Sequence, residues 1–194
     1  MSAPLAVLRH AATAWNADRR LQGMTDTSLS QLGEAQARSW RLPAPVDCWR
    51  RLSSPLERAR RTAELLRPTA PVTTCSALRE MSFGIWEGRT IAELRTTVGT
   101  AFLAEERKGL DFQPPHGESP RAVTVRLRAW LATLEAPTVA VSHKAVIRAL
   151  LSLATGWDMS DRQPCRLDWS CLHLFDVAAD GSLRVRQLNV PLGG

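Results

Sequence analysis

The sequence predicts a three-layer α/β fold. Short apolar runs that indicate buried strands alternate with amphipathic segments of helical period along the 194 residues, and this alternation is typical of a sheet covered by helices. Two Ser-Pro pairs, at Ser54 and Ser119, precede helical patterns, because serine caps a helix and proline fits its first turn. With 44% hydrophobic residues, the chain can bury a sizeable core.

The strands are predicted from runs of apolar and β-branched residues bounded by turn signals. The first run is short and wholly apolar, as expected of a strand buried on both faces. Asp180-Gly181 predicts a turn between the last two strands. The predicted strands span residues 5–8, 46–52, 72–75, 138–141, 167–177 and 183–190.

The helices are predicted from periodicity and capping residues. Ser30 is placed to cap a helix over residues 31–40, with Leu32, Ala35 and Ser39 on its inner face. The other predicted helices run from Ser54-Pro55 to Pro68, in one or two pieces over residues 90–108, from Ser119-Pro120 to Glu135, and from Lys144 to Ala154 before Gly156.

Charge and cysteine usage exclude several classes of protein. The net charge is +6, but the basic residues are scattered arginines with no basic stripe, so we expect no nucleic-acid partner. The four cysteines lack metal-ligand spacing, so we expect no metal, and a chain of this length folds without disulfides. Neither a signal peptide nor an apolar run of transmembrane length is visible, so we expect a cytoplasmic protein without a membrane partner.

The length predicts one domain over residues 1–194, with a lid-like insertion around residues 90–118. Within that insertion, Pro114-Pro115 and two glycines predict a loop that could cover a pocket. The oligomeric state stays open, and a homodimer is one outcome that these residues allow.

Two predicted strands lead into a histidine. Residues 5–8 continue into Arg9 and His10, and residues 138–141 continue towards His143. If the two strands are neighbours, both imidazoles meet at the carboxyl edge of the sheet, where open α/β sheets bind their ligands. A single histidine after a strand is commonly structural, but two at equivalent strand ends, one beside an arginine, predict a functional site.

Phosphoryl transfer through a phosphohistidine needs these residue types. The attacking imidazole must be neutral, and nearby guanidinium groups favour that form while they bind phosphate oxygens. Arg9 and Arg58 are the candidate phosphate ligands, and His143 is a further donor. A leaving alkoxide needs a proton, and Glu80, just before a glycine-containing loop, is the best candidate acid.

The candidate residues lie within a longer series of short sequence blocks. The blocks are Leu8-Arg9-His10 with Thr13 and Asn16; Leu21-Gln22-Gly23, Asp26, Leu29-Ser30, Gly33 and Gln36-Ala37; Ser53-Ser54-Pro55-Leu56 with Arg58-Ala59 and Thr62-Ala63; Leu78-Arg79-Glu80, Phe83-Gly84, Trp86-Glu87-Gly88 and Gly117-Glu118-Ser119; and Val141-Ser142-His143 with Val146-Ile147-Arg148-Ala149. Each is weak alone, but five in this order make a specific match. Over essentially the whole chain the sequence resembles the histidine phosphatase superfamily, also called the phosphoglycerate-mutase-like family.

The resemblance implies a fold and a set of roles. The fold is a three-layer α/β/α sandwich with a mostly parallel central sheet, phosphoglycerate-mutase-like. His10 is implied to be the phosphorylated nucleophile, and Glu80 to protonate the leaving group and then activate water. No cofactor and no metal are implied, and the implied partner is a small-molecule phosphate ester. The implied phosphate ligands are the side chains of Arg9, Asn16, Arg58 and His143 and the backbone N–H of Gly23.

Several positions depart from the family pattern. Ala11 and Ala12 stand where a glycine followed by an acidic or amide residue is usual, and the small side chain of Ala11 is expected to fit. Ser28 replaces a common proline. Lys144-Ala145 replaces a usual glycine pair, and we expect the Lys144 side chain to point to solvent. None of these changes removes a group with an implied catalytic role.

Mutases and phosphatases of this family share their chemistry, so the motifs leave both open. Family mutases carry a longer, arginine-rich insertion, whereas residues 100–118 are short and more apolar, with Arg107 and Lys108 as a basic pair. We therefore expect hydrolysis of a phosphomonoester with a bulky or apolar part. The stretches 168–171 and 182–189 resemble α-ribazole phosphatases, so α-ribazole 5′-phosphate and sugar or nucleoside phosphates are candidate substrates.

Two alternatives remain: phosphoglycerate mutase-type phosphoryl transfer, and an inactive phosphate-binding module. An inactive module would have little reason to keep the complete set of reactive groups. The set is intact here, with His10, Arg9, Arg58, Glu80 and His143 all present, and it favours an enzyme.

Overall fold

The residues described by the computed structural model, 3–68 and 71–193, form one six-stranded sheet. Of the domain expected over residues 1–194, residues 1–2, 69–70 and 194 lie outside the described residues. The strands are β1 Ala3–Arg9, β2 Arg50–Ser53, β3 Thr73–Thr74, β4 Thr138–Ser142, β5 Leu172–Val177 and β6 Leu183–Val190. Their order is β3-β2-β4-β1-β5-β6. The first four in this order pair in parallel and the last two pair antiparallel, which confirms the mostly parallel sheet.

The helices begin and end close to the capping signals in the sequence. They are α1 Ala14–Ala17, α2 Gln31–Ser39, α3 Glu57–Leu65, α4 Ile91–Thr97, α5 Thr100–Glu106, α6 Pro120–Leu131 and α7 Lys144–Thr155. The Ser30 hydroxyl accepts the Gly33 N–H at 3.1 Å, and Ser119 caps α6 in the same way. Gly156 ends α7 with φ at 76°, a left-handed conformation that favours glycine.

The buried face of α2 differs from the prediction. Leu32, Ala35 and Ser39 are exposed, and Leu32 retains 74% of its surface. The inward positions are Gly33 and Ala37. A Cβ at Gly33 would lie 1.9 Å from the Ala12 carbonyl oxygen, so close packing against the loop after β1 fixes the face of α2.

Three element boundaries also differ. α3 begins at Glu57 with no side-chain cap, because the Ser54 hydroxyl contacts another residue of the site. Residues 46–48 form a short 3-10 turn, so β2 begins only at Arg50. β5 begins at Leu172, after a turn in which an aspartate side chain accepts hydrogen bonds from the serine two residues later.

The sheet is covered on both faces, as the predicted three layers require. Along β1, Leu5 and Val7 face one core, which includes residues of α6 and α7. Ala6 and Leu8 face the other core, which includes residues of α2 and α3. The alternation follows from the two-residue period of a strand.

Residues 91–118 build a separate small cluster next to the sheet. The Trp86 ring lies 5.1 Å from Phe102 and 5.8 Å from Phe112, measured between ring centroids. Phe102 is fully buried in this cluster. Phe102, one of the apolar residues of the expected lid, therefore stabilises the insertion itself and is not free to face a substrate.

Within the described ranges, no helix combines the length and the apolar character needed to cross a bilayer. The four cysteines in those ranges are free thiols.

Candidate active site

The two histidines predicted to meet at one edge of the sheet lie side by side. β1 and β4 are adjacent and parallel, with Arg9 opposite Ser142 in register. The next residue of each chain segment is a histidine, and the His10 N–H donates to the Ser142 carbonyl at 2.9 Å. The imidazole rings of His10 and His143 are 5.2 Å apart and inclined by 57°. Both rings are buried.

His10 is held in the tautomer that a nucleophile needs. Its Nδ1 lies 2.8 Å from the carbonyl oxygen of Ala11. Because a carbonyl oxygen only accepts hydrogen bonds, Nδ1 carries the proton and Nε2 of the neutral ring keeps its lone pair. Burial, and then the charges of Arg9 and Arg58, hold the pKa of His10 well below its ordinary value. The imidazole is therefore neutral at neutral pH.

His143 is anchored by Ser54, the serine that the sequence suggested as a helix cap. The Ser54 hydroxyl oxygen lies 2.7 Å from Nε2 of His143. The other ring nitrogen, Nδ1, is buried and has no hydrogen-bond partner in the described part of the chain. Burial, followed by the proximity of His10 and Arg58, lowers the pKa of His143. An unpartnered polar atom at this position is suited to a ligand oxygen.

Arg58 is wholly buried at the start of α3 and braces the loop opposite it. Its two terminal nitrogens donate to the carbonyl oxygens of Gly23 at 2.7 Å and Thr25 at 2.9 Å. Its Nε is buried and has no partner within residues 3–68 and 71–193, and the same holds for Nε of Arg9. Burial lowers the pKa of both guanidiniums, and the charge of Glu80 opposes that effect. The two cations thus lie near one carboxyl and retain N–H groups for an anion.

The Gly23 loop is held by a carboxylate to which the sequence reading assigned no role. Glu87 accepts the N–H groups of Met24 at 2.9 Å and Thr25 at 2.7 Å. Gly23 has φ at 56°, and a Cβ there would lie 2.0 Å from Oε1 of Glu87. Only glycine fits this position, because any side chain would collide with the group that orders the loop.

Glu80 is a buried carboxyl at the same edge of the sheet. Its oxygens accept the N–H groups of Met81 at 2.9 Å and Ala145 at 3.4 Å. Burial raises the pKa of Glu80, and the Met81 hydrogen bond and the charge of Arg58 only partly offset it. Arg126 holds the backbone on this side, with bonds to the carbonyl oxygens of Ala77 and of Arg79, the latter at 2.8 Å. A raised pKa suits a group that must deliver a proton.

Asn16 has a structural role that the sequence reading missed. Its Oδ1 accepts the Thr13 N–H at 3.1 Å, and the Thr13 hydroxyl accepts the Asn16 N–H at 3.2 Å. This reciprocal pair caps α1. The side-chain oxygen is therefore engaged, and the amide nitrogen is the part of Asn16 left for a ligand.

The departures from the family pattern are accommodated locally. Ala11 is buried, and its N–H donates to the Thr62 hydroxyl at 3.0 Å, so the extra methyl packs without strain in the core. Lys144 is exposed, as expected, and its ammonium lies 5.4 Å from the centre of the Trp169 ring. Both residues line the same cavity.

Positive charge at the site comes from Arg9 and Arg58, because the lowered pKa values of His10 and His143 keep both imidazoles neutral. Across residues 3–68 and 71–193, no three His, Cys, Asp or Glu side chains are grouped as metal ligands. The residues that sequence reasoning missed are Ser54, Thr62, Glu87, Arg126 and Trp169. Three of them, Ser54, Thr62 and Glu87, lie within the blocks that carry the family resemblance, and this was the available signal.

Residues 5–191 match the family model described as the histidine phosphatase superfamily, branch 1. A protein of Salmonella arizonae named probable phosphoglycerate mutase GpmB is 34% identical over 167 residues, which cover 77% of this chain and 74% of that protein. A Klebsiella pneumoniae protein of the same name is 32% identical over 169 residues, with the same coverage of both chains.

A solved structure from Escherichia coli, described as a candidate alpha-ribazole-5'-P phosphatase, superposes with a TM-score of 0.80 at 25% identity and covers 99% of this chain and 98% of that chain. A mycobacterial glucosyl-3-phosphoglycerate phosphatase in complex with VO3 gives a TM-score of 0.79 at 27% identity and covers 97% of this chain and 99% of that chain. Both likenesses extend over the whole fold and include the sheet edge with the two histidines.

Proposed function

The chain belongs to the histidine phosphatase superfamily, and on that premise we propose that it hydrolyses small phosphomonoesters through a phosphohistidine on His10. The observation that carries this proposal is the hydrogen bond from Nδ1 of His10 to the Ala11 carbonyl, 2.8 Å long. It leaves the lone pair of Nε2 free, and the charges of Arg9 and Arg58 lie close enough to lower the pKa of the ring. Members of the superfamily are phosphatases or mutases, and both need this nucleophile.

In the first step, Nε2 of His10 attacks the phosphorus atom and the bond from phosphorus to the leaving oxygen breaks. Glu80 gives its proton to that oxygen, which leaves as an alcohol. Arg9, Arg58 and His143 donate hydrogen bonds to the oxygens of the transferred group, where negative charge spreads in the transition state. The raised pKa of Glu80 supports its role as the acid.

In the second step, the Glu80 carboxylate takes a proton from water while the water oxygen attacks phosphorus. The bond from phosphorus to Nε2 breaks, and His10 returns to its neutral form with the proton still on Nδ1. Inorganic phosphate leaves, and Glu80 is again protonated for the next cycle. The Gly23 N–H and the Asn16 amide nitrogen are additional donors to the phosphate in this proposal.

Phosphoglycerate mutase-type transfer is the second candidate, favoured by the names of relatives at 32% and 34% identity. Family mutases carry a longer, arginine-rich insertion, whereas the insertion here is short and the ammonium of its Lys108 is ion-paired with Glu105. We therefore favour hydrolysis, with α-ribazole 5′-phosphate and sugar or nucleoside phosphates as candidate substrates.

The proposal is tested with a panel of phosphorylated metabolites in the presence of a chelator. The panel includes α-ribazole 5′-phosphate, 3-phosphoglycerate, and sugar and nucleoside phosphates. We expect phosphate release by the wild-type protein, an acid-labile phosphoenzyme, and the loss of both in His10→Ala. Isomerisation of 3-phosphoglycerate without phosphate release would favour the mutase, and normal turnover by His10→Ala would overturn the role of His10.

A further inference from the structure

A cavity of about 830 Å³ opens at the start of α7, the helix that follows His143 in the chain. Its volume is in the range of small-molecule sites. The first turns of α7 and the segment 162–169 line it. Its charged lining residues are all basic: Lys144, Arg148, Arg162 and Arg166. The carboxylate of that segment, Asp168, accepts hydrogen bonds from Ser170, and the carboxylate just before the segment, Asp161, accepts one from Trp157.

These four cations have no carboxylate partner among the described residues. Some arginines elsewhere are ion-paired, for example Arg121 with Asp111 at 2.6 Å, and others are not, so what distinguishes these four cations is that they line one cavity. Arg148 lies 5.1 Å from the centre of the Trp157 ring, and its Nε is buried without a hydrogen-bond partner. A group of unpaired cations around one cavity is disfavoured by mutual repulsion unless an anion binds between them.

A tryptophan connects this cavity with the phosphoryl site. The centre of the Trp169 ring lies 5.4 Å from Nζ of Lys144 and 5.9 Å from Cζ of Arg9, both within the range of cation–π contacts. Burial, and then the charges of Arg9 and Arg148, lower the pKa of Lys144. A ligand whose phosphoryl group contacts Arg9 can therefore extend past Trp169 into the cavity.

We infer that the physiological substrate is a phosphomonoester that carries a second anionic group on the part that is not transferred, and that Lys144 and Arg148 bind this group. The inference rests on the proposed function and specifies its substrate class. The second group is a carboxylate or a second phosphate, since both accept hydrogen bonds from guanidinium and ammonium groups. It also revises the bulky, apolar substrate part expected from the sequence, because Phe102 is buried in its own cluster.

The test compares substrates that differ by one anion. We measure kcat/KM for 3-phosphoglycerate against glycerol 3-phosphate, and for fructose 1,6-bisphosphate against fructose 6-phosphate. The first pair tests a carboxylate and the second a phosphate. In at least one pair, we expect kcat/KM to be at least tenfold higher for the substrate with two anionic groups. A tenfold ratio corresponds to about one charge-assisted hydrogen bond.

The preference should depend on the cavity cations. In Lys144→Gln and in Arg148→Gln, the ratio between the two members of the preferred pair should fall about tenfold. Arg107→Gln is the matched control, because it removes an exposed arginine from the lid and should leave the ratio unchanged. A wild-type preference that survives both cavity substitutions, or no preference in either pair, would overturn the inference.

A binding measurement tests the cavity site independently of the proposed hydrolysis. Calorimetry with His10→Ala compares the affinities of 3-phosphoglycerate and glycerol 3-phosphate, and of the two fructose phosphates, without turnover. Tighter binding of the doubly charged ligand, lost on adding Lys144→Gln, would support the cavity site even if the wild type hydrolysed nothing. Hydrolysis of p-nitrophenyl phosphate together with equal affinities within each pair would reject the cavity site and leave the proposed function standing.

Discussion

The Ser54 hydroxyl and the His143 imidazole form a 2.7 Å contact between the loop before α3 and the end of β4. The same hydroxyl oxygen accepts the Leu56 N–H at 3.3 Å. One serine thereby orients the second histidine and the start of the helix that carries Arg58. The position of the phosphate ligands is thus determined by a residue that has no reactive role of its own.

Replacing Ser54 should reduce catalysis through the orientation of His143. In Ser54→Ala we expect kcat/KM to fall about tenfold, the loss of one hydrogen bond to a buried group. Ser54→Thr, which keeps a hydroxyl, should recover part of the activity, and Ser39→Ala, on the exposed side of α2, should have no effect. Steady-state kinetics on p-nitrophenyl phosphate measures all three. Equal activity in Ser54→Ala and the wild type would remove Ser54 from the site.

Glu80→Gln should affect substrates according to their leaving groups. An alkoxide needs a proton from Glu80, whereas nitrophenolate is stable without one. We expect the rate on an alkyl phosphate to fall at least tenfold more than the rate on p-nitrophenyl phosphate. The control is Glu135→Gln, which neutralises an exposed glutamate. If both substrates slow equally, Glu80 is not the acid.

Gly23→Ala should disrupt the loop that faces Arg58. Gly23 and Gly156 both have positive φ, at 56° and 76°, but a Cβ at Gly23 would meet Glu87 at 2.0 Å while one at Gly156 would meet nothing within 4 Å among the described residues. Alanine in the left-handed conformation of Gly156 costs about 1 kcal/mol of backbone strain. Gly156→Ala therefore controls for that strain, and the additional loss of kcat/KM in Gly23→Ala measures the collision. Equal effects on the two variants would contradict this account.

Acid should destabilise the protein through its buried histidines. Burial lowers the pKa of His173, on β5, to about 4, from an ordinary value of 6.5. Between those values the unfolded chain binds a proton that the folded chain does not, so the free energy of unfolding decreases as the pH falls. From pH 7 to pH 5 the loss from His173 is about 2 kcal/mol, and His10 and His143 act in the same direction.

Urea unfolding at pH 5 and pH 7 checks this dependence. His173→Gln removes the titrating group and should make the difference between the two values about 2 kcal/mol smaller. The glutamine oxygen can accept the Asn189 N–H that the imidazole accepts now. An unchanged difference would show that His173 does not contribute.

Local patterns predicted the main elements of the fold. The apolar runs before His10 and before His143 gave two strands of the correct kind, and these strands are neighbours. The serine before Pro120 marked the start of α6 correctly. These features depend on periodicity and on backbone hydrogen bonds at helix ends, which adjacent residues determine.

Local sequence patterns did not predict the contacts between segments that are distant in the chain. The same Ser-Pro signal misplaced the start of α3, whose N-cap is Leu56, and it did not show that the Ser54 hydroxyl contacts a residue 89 positions away. The sequence around Glu87 does not indicate its contact with the Gly23 loop, which only the folded chain brings about. Arg58 is completely buried although its neighbours in sequence suggest a solvated helix face. Periodicity describes faces of elements and carries no information on which side chains from different elements meet.

The close approach of Gly33 to Ala12 limits how the protein can vary. No methyl group fits between α2 and the backbone that follows His10, since a Cβ at position 33 would lie 1.9 Å from the Ala12 carbonyl oxygen. Every substitution there must push the nucleophile's own loop away from the helix. If every amino acid is substituted at Gly33 and turnover is measured, we expect no replacement to be tolerated. Gly33 should then be as intolerant of substitution as a residue that takes part in the reaction.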